Sequence, residues 1–321
     1  MMKNDAYYIR DLVYGVSGSG KTSWWLKVAA YVFATTGKRT RWYLGDGGMQ
    51  TLIVSGAEEF ADIMNYNLWD HPIETAQKIA EGYWPQDPFT PNSKLMPTTN
   101  DEWAKIGLCV YEGTTVMADY IMGDRIGGLA NRMAKGEVLN NDQSFRIQDG
   151  DLKFGGTSRT HYGFAQRRIV DNIERTRALP CHVGWTGHER KVEDDDNKEV
   201  WIGPDVAGKV LTTKIGASFG NTIHLHPVKA VVKGTDPVTK KPVDSVQIQR
   251  RAYTRTHYDP EAQHFVRFYA NTRMPVVLAK EGFMPEWIEP DPLVYYQRLQ
   301  EARVKAKQME RESFSGVAVT L

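Results

Sequence analysis

Cysteine is nearly absent: Cys109 and Cys181 are the only two in 321 residues. That excludes a disulfide scaffold and a four-thiolate zinc site, and it points to a reducing compartment, the cytoplasm. Long apolar runs are also missing. The longest clean one, Val28–Ala34, is far short of the ~20 residues that span a bilayer, and mean hydropathy is −0.48, so no membrane partner is expected. Met1–Asp5 opens without the apolar stretch of a secretory leader. Neither sign of charge dominates: Lys+Arg is 40 against Asp+Glu 39. A nucleic-acid footprint, if there is one, must be local. Repeats and low-complexity tracts are absent. What remains is 41% apolar and 25% charged residues, a globular composition that excludes disorder as the main state.

The pattern along the chain predicts strands alternating with helices. Tyr8–Ile9 and Leu12–Tyr14 read as short strands, followed by a glycine-rich loop over Gly15–Gly20. Lys21–Thr36 is apolar almost all round, which predicts a buried helix, with Gly37 at its C-cap. Arg39–Leu44 is a second predicted strand and Thr51–Val54 a third. Pro72–Glu81 is a helix with proline in its first turn. Tyr83–Thr98, with Pro85, Pro88, Pro91 and Pro97, reads as a long surface loop. Ile106–Tyr111 is a buried strand leading into a helix at Thr114–Met122. Gly123–Gly156 reads as an insertion or mobile loop. Gly163–Ala178 is helical and Cys181–Trp185 another buried strand. Lys191–Trp201 reads as a hairpin, Thr222–His226 and Val243–Tyr253 as strands, Asp291–Pro292 as the start of a C-terminal helix, and Ser313–Leu321 as a frayed tail. The expectation is an α/β fold with a mostly parallel central sheet flanked by helices, an antiparallel edge and a C-terminal helix. The core is assigned to residues 1–277 and a helical extension to 278–321.

One motif is highly specific. Gly15-Val16-Ser17-Gly18-Ser19-Gly20-Lys21-Thr22 fits G-x-x-x-x-G-K-[ST] in full, between a strand and a helix. Glycines let backbone N–H groups curl around a phosphate, and the helix N-terminus adds positive potential there. The nucleotide-binding residues expected are Gly15 to Thr22 and Ser23. Lys21 would neutralise the β and γ phosphates of ATP, and the Thr22 hydroxyl would ligate Mg²⁺.

Such a site needs a carboxylate at a neighbouring strand end. Glu112, closing Ile-Gly-Leu-Cys-Val-Tyr-Glu, is the leading candidate, as a metal ligand with Thr22 or as the group orienting water. Asp46, in Leu44-Gly-Asp-Gly-Gly48, is the other. His188 or Thr186, after the strand Cys181–Trp185, could contact the γ-phosphate. Arg273 is the candidate arginine reaching a neighbouring subunit's site, with Lys209 and Lys214 as rivals. His182, His188, His224 and His226 make a weak metal set: His224 and His226 share a strand face, and the sequence offers no third ligand. Two basic segments, Lys153–Arg177 and Lys229–Arg255, carry aromatic residues and could track a phosphate backbone. From charge alone, a solvated helix face and a charged hairpin are the slightly favoured explanation.

Four stretches together give a resemblance: Leu12–Thr22, the apolar strand into Glu112-Gly-Thr-Thr, Gly187-His-Glu-Arg190 and Gly203-Pro-Asp-Val-Ala-Gly-Lys209. Over roughly residues 7–275 the chain resembles phage-encoded, AAA-type, RecA-like P-loop ATPases, among them the single-strand-annealing recombination ATPases. The resemblance implies a RecA-like core, ATP with Mg²⁺, homo-oligomers with sites between subunits, and single-stranded DNA as partner, with a single-strand-binding protein as a further one. Glu112 stands where that family usually has Asp. A packaging or assembly motor with a protein partner, a non-hydrolysing nucleotide-binding scaffold and a small-molecule kinase are the alternatives.

Overall fold

The structure, a computed structural model, describes residues 8–45, 48–122, 159–193, 200–206, 209–235, 242–258, 266–273, 278 and 284–315. The predicted insertion 123–156, Asp46, the tip of the 191–201 hairpin and the last residues of the tail lie outside the described residues.

The chain starts with β1 (Arg10–Tyr14), the loop, and α1 (Lys21–Thr36). The strands that follow are β2 (Arg39–Leu44), β3 (Ala61–Asn65), β4 (Tyr83–Pro85), β5 (Leu95–Pro97), β6 (Ile106–Glu112) and β7 (His182–Gly187). Next come β8 (Glu189–Glu193), β9 (Val200–Pro204), β10 (Asn221–Thr235), β11 (Pro242–Tyr253), β12 (Arg255–Tyr258), β13 (Val266–Thr272) and β14 (Trp287–Ile288). The described residues form a 12-stranded sheet in the order β3-β2-β6-β7-β1-β10-β13-β9-β8. From β3 to β10 every neighbouring pair is parallel. The pairs β10–β11, β10–β13, β12–β13 and β8–β9 are antiparallel and form the far side. This is the α/β architecture the alternation predicts.

Packing explains why these segments hold. On one face, Tyr43, Tyr111 and Trp185 sit opposite one another on adjacent strands and stack at centroid spacings of 4.7 and 4.6 Å. Tyr43 and Tyr111 are the penultimate residues of their strands and Trp185 the third from the end of β7, so the ladder aligns the strand tips. On the other face α1 buries Trp24, Trp25, Val28, Ala29 and Val32. The Trp25 indole lies over Gly184, where any Cβ would come within 2.6 Å of the ring. The C-terminal helix Pro292–Ser315 buries Tyr295, Leu299 and Ala302 in the same core as α1. Ala306, the fourth residue of the predicted stripe, is half-buried. Tyr295 packs against Trp24 at 5.8 Å.

Several expectations are corrected. The first strand is one element, Arg10–Tyr14, with Tyr8 and Ile9 outside it. Thr51–Val54 is not a strand: α2 runs Met49–Val54, with Leu52 turned into the core and Ile53 and Val54 exposed, a helical rather than alternating burial pattern. The missed strand is β3, immediately after. Tyr83–Thr98 is not wholly irregular: β4 and β5 pair antiparallel, because its prolines fall at strand ends and in the connecting turn. The last helix continues to Ser315, past the start of the predicted tail. Cys109 and Cys181 are buried, unbonded thiols with sulfurs 3.6 Å apart. Among the described residues no helix is long and apolar enough to cross a membrane.

Candidate nucleotide site

The loop joins β1 to α1 at the carboxyl ends of the parallel strands, where open α/β sheets place their ligands. Gly15 cannot carry a side chain: its Cβ would lie 2.2 Å from the Leu225 carbonyl oxygen. Gly20 adopts φ +100° and delivers the chain straight into α1. No side chain caps that helix, and no acid occupies its first turn. Its first N–H groups therefore face the cleft with the positive end of the helix dipole behind them. Lys21 is 8% exposed and its Nζ donates to the Gly15 and Val16 carbonyl oxygens, each at 3.0 Å. The ammonium is thus held directly over the loop.

Glu112 ends β6, two strands from β1, with β7 between. It is 3% exposed. The Thr22 hydroxyl donates to its Oε1, and the Trp42 indole N–H donates to its Oε2 at 2.8 Å. Gly48 lies against the same carboxylate, where a Cβ would come within 3.1 Å. The first two motif residues predicted to share a metal, Thr22 and Glu112, are in contact. They border a cleft of about 430 Å³ with Ser17, Gly18, Gly20, Lys21, Ser23, Gly48, Thr51, His188 and Arg250.

The other predicted residues divide clearly. His188 lines the cleft. Thr186 does not: it is 1% exposed and its hydroxyl accepts from the Gly113 N–H at 3.1 Å, while its carbonyl accepts from Thr114. Thr186 therefore ties β7 to the turn after Glu112. Arg273 is remote from the cleft of its own chain. Its backbone N–H donates to Asn221 and its guanidinium to the Ala217 carbonyl, beside the starting end of β10. Lys214 is exposed at the end of the short helix Lys209–Lys214. Three arginines of the first basic segment serve the fold: Arg168 donates to Gln77, Arg175 pairs with Glu81, and Arg177 bonds Glu174 and the Ser218 carbonyl.

Sequence reasoning missed two things. Arg250 was grouped with the basic footprint, yet it reaches the loop from β11: a Cβ on Gly20 would lie 3.9 Å from its Cδ. The second is a cluster. Glu189 supplies the third ligand that the histidine set lacked, joining His224 and His226 beside the loop. Burial raises the Glu189 carboxyl, opposed by His226, by Lys21 and by a hydrogen bond from the Val16 backbone N–H. Burial, and then His226, hold the His224 imidazole well below its ordinary value. The i, i+2 histidines were a visible signal, but a partner 35 residues upstream was not.

No protein-family model matches this chain, and no curated protein is detectably similar to it.

Proposed function

We propose that this chain is a Mg²⁺-dependent, RecA-like P-loop ATPase that acts on single-stranded DNA as a homo-oligomer. The observation that carries the reading is the contact between Thr22 and Glu112 at the open end of α1. A full phosphate-loop motif supplies amides, an ammonium and a hydroxyl. A buried carboxylate from a different strand then meets that hydroxyl. Thr22 and Glu112 offer the hard oxygen donors that Mg²⁺ takes. When bound there, the ion would offset charge on the phosphates.

The chain's own groups divide the remaining work. The loop amides and the α1 N-terminus bind the phosphates. Lys21 exchanges its two carbonyl partners for phosphate oxygens. Trp42 and Thr22 each hold one oxygen of Glu112, setting the carboxylate where it can bind Mg²⁺ or orient attacking water. His188, between β7 and β8, and Arg250, on β11, border the cleft, so both can respond to the γ-phosphate. Because Arg168 and Arg175 of the helix Arg159–Thr176 are engaged within the protein, we assign DNA tracking to the β10–β11 hairpin. Lys229 and Arg250 are exposed on it. Arg250 would then link the DNA-facing hairpin to the nucleotide.

The test is ATP turnover with and without single-stranded DNA. Turnover should need Mg²⁺, rise with single strands in a salt-sensitive way, and vanish in Lys21→Ala together with the thermal shift given by ATP. Unchanged turnover in Lys21→Ala overturns the assignment of the loop. Turnover that ignores single strands overturns the DNA partner and leaves the packaging or assembly alternative.

A further inference from the structure

Beside the phosphate loop, but outside its cleft lining, three potential ligand groups converge. Glu189 opens β8; His224 and His226 lie two residues apart on β10 and so project from the same face. One ligand atom from each lies within 4.8 Å of the other two. Glu189 Oε2 is 2.9 Å from His224 Nε2 and 4.0 Å from His226 Nδ1.

We propose that Glu189, His224 and His226 form a binding site for one divalent transition-metal ion of the zinc class. Three observations support it. First, the spacing fits. Metal–nitrogen and metal–oxygen bonds of about 2.0–2.1 Å in tetrahedral geometry separate ligand atoms by about 3.4 Å. The two measured separations bracket that value, and the soft terminal torsion of a glutamate covers the difference. Second, a polar atom is left over: His226 Nδ1 is buried, has no hydrogen-bond partner, and stands on the Glu189 side. Such an atom is costly unless something satisfies it. An ion does so. Third, the ligands are already held. His224 is fully buried and stacked against Tyr14 at 4.6 Å and Phe268 at 4.9 Å. Glu189 already sits with its Oε2 2.9 Å from the His224 Nε2. Preorganisation of this kind distinguishes a ligand set from a chance cluster.

The chemistry of the donors selects the ion. Two imidazoles and one carboxylate suit zinc, cobalt or iron(II), not Mg²⁺, which takes oxygens. With three protein ligands a fourth position stays open to water, on the side where His226 is 25% exposed. An ion here would fasten the start of β8 to β10. The site is separate from the Thr22–Glu112 pair and does not depend on what the loop binds.

The experiment titrates metal-stripped, full-length protein with CoCl₂ in the absence of nucleotide, followed by ZnCl₂. The expected result is one Co²⁺ per chain with a visible ligand-field band, bleached by one equivalent of Zn²⁺. His226→Ala and the near-isosteric Glu189→Gln should each weaken binding at least ~10-fold, with far-ultraviolet circular dichroism unchanged; Glu112→Gln should leave the band in place. The proposal is overturned by the absence of stoichiometric binding in the parent protein. It is equally overturned if folded His226→Ala and Glu189→Gln keep the parent's affinity, or if the band is lost in Glu112→Gln and survives in His226→Ala.

Discussion

The indole nitrogen of Trp42 is bonded to the carboxylate of Glu112, 70 residues away, at 2.8 Å. The register of β2 on β6 sets this up. Leu44 stands opposite Glu112 and Trp42 opposite Val110, so Trp42 and Glu112 share a face, two residues out of step. Both side chains are buried. Trp42 is a positioning residue: it touches the acid and not the phosphates.

Trp42→Phe keeps the ring's bulk and removes the donor. A hydrogen bond to an ionised acceptor is worth about 1.5–3 kcal/mol, so turnover should fall roughly 10- to 100-fold. Affinity for an ATP analogue should change little, because Lys21 and the loop amides are untouched. Steady-state kinetics alongside analogue titration separates the two. Equal losses in turnover and analogue affinity would indicate general damage to the cleft instead.

Arg250 and Arg273 make opposite predictions. Arg250 borders the cleft of its own chain, and a charge-stabilising arginine in that position contributes about 10³-fold or more to phosphoryl transfer. Arg250→Ala should therefore lower turnover at least ~100-fold while nucleotide still binds. Arg273→Ala should have a small effect, since its guanidinium holds the Ala217 carbonyl. If the arginine acts between subunits as the sequence suggested, the order of the two effects reverses; turnover by the two variants decides it.

Asp11 gives a pH-dependent stability. Burial pushes its carboxyl up to about 6, only partly offset by hydrogen bonds from Asn221 and Tyr296. Between the unfolded value of about 3.9 and about 6, the folded chain holds more protons than the unfolded one. This contribution therefore makes stability fall as pH rises across that window, with a full penalty of about 3 kcal/mol above it. His182 acts in the opposite direction. Burial, with Arg10 and Lys38, lowers its imidazole to about 4, so its contribution is lost as pH falls below the unfolded value of about 6.5. Asp11→Asn should be more stable than the parent at pH 7.5 and should lose the component of the pH slope that falls between about 3.9 and about 6. Urea unfolding at pH 5 and 7.5 is the check; a variant less stable than the parent at pH 7.5 contradicts the sign.

What could be read from the sequence was local. The phosphate loop, α1 and the strand ending at Glu112 follow from spacing within a dozen residues, and the structure has them at the predicted places. Helix against strand failed at Thr51–Val54, where a short apolar run has no period long enough to decide. Asp46, the alternative acid, lies outside the described residues. Trp42 carried no signal, and Arg250 and Glu189 none beyond the basic segment and the Gly-His-Glu-Arg stretch they belong to, because each reaches the site through contacts between distant strands. His224 and His226 were visible as a pair; their carboxylate became visible only once the fold had brought Glu189, at the start of β8, against His224.

The hydroxyl of Tyr296 donates to Asp11 across a separation of 285 residues, and its neighbour Tyr295 covers Trp24. The strand before the phosphate loop and the helix that carries the lysine are thus completed by a segment made more than 250 residues later. During synthesis, Asp11 and Trp24 wait for residues 295 and 296 before these contacts form. A recombinant fragment stopped at residue 277 would remain in that waiting condition permanently.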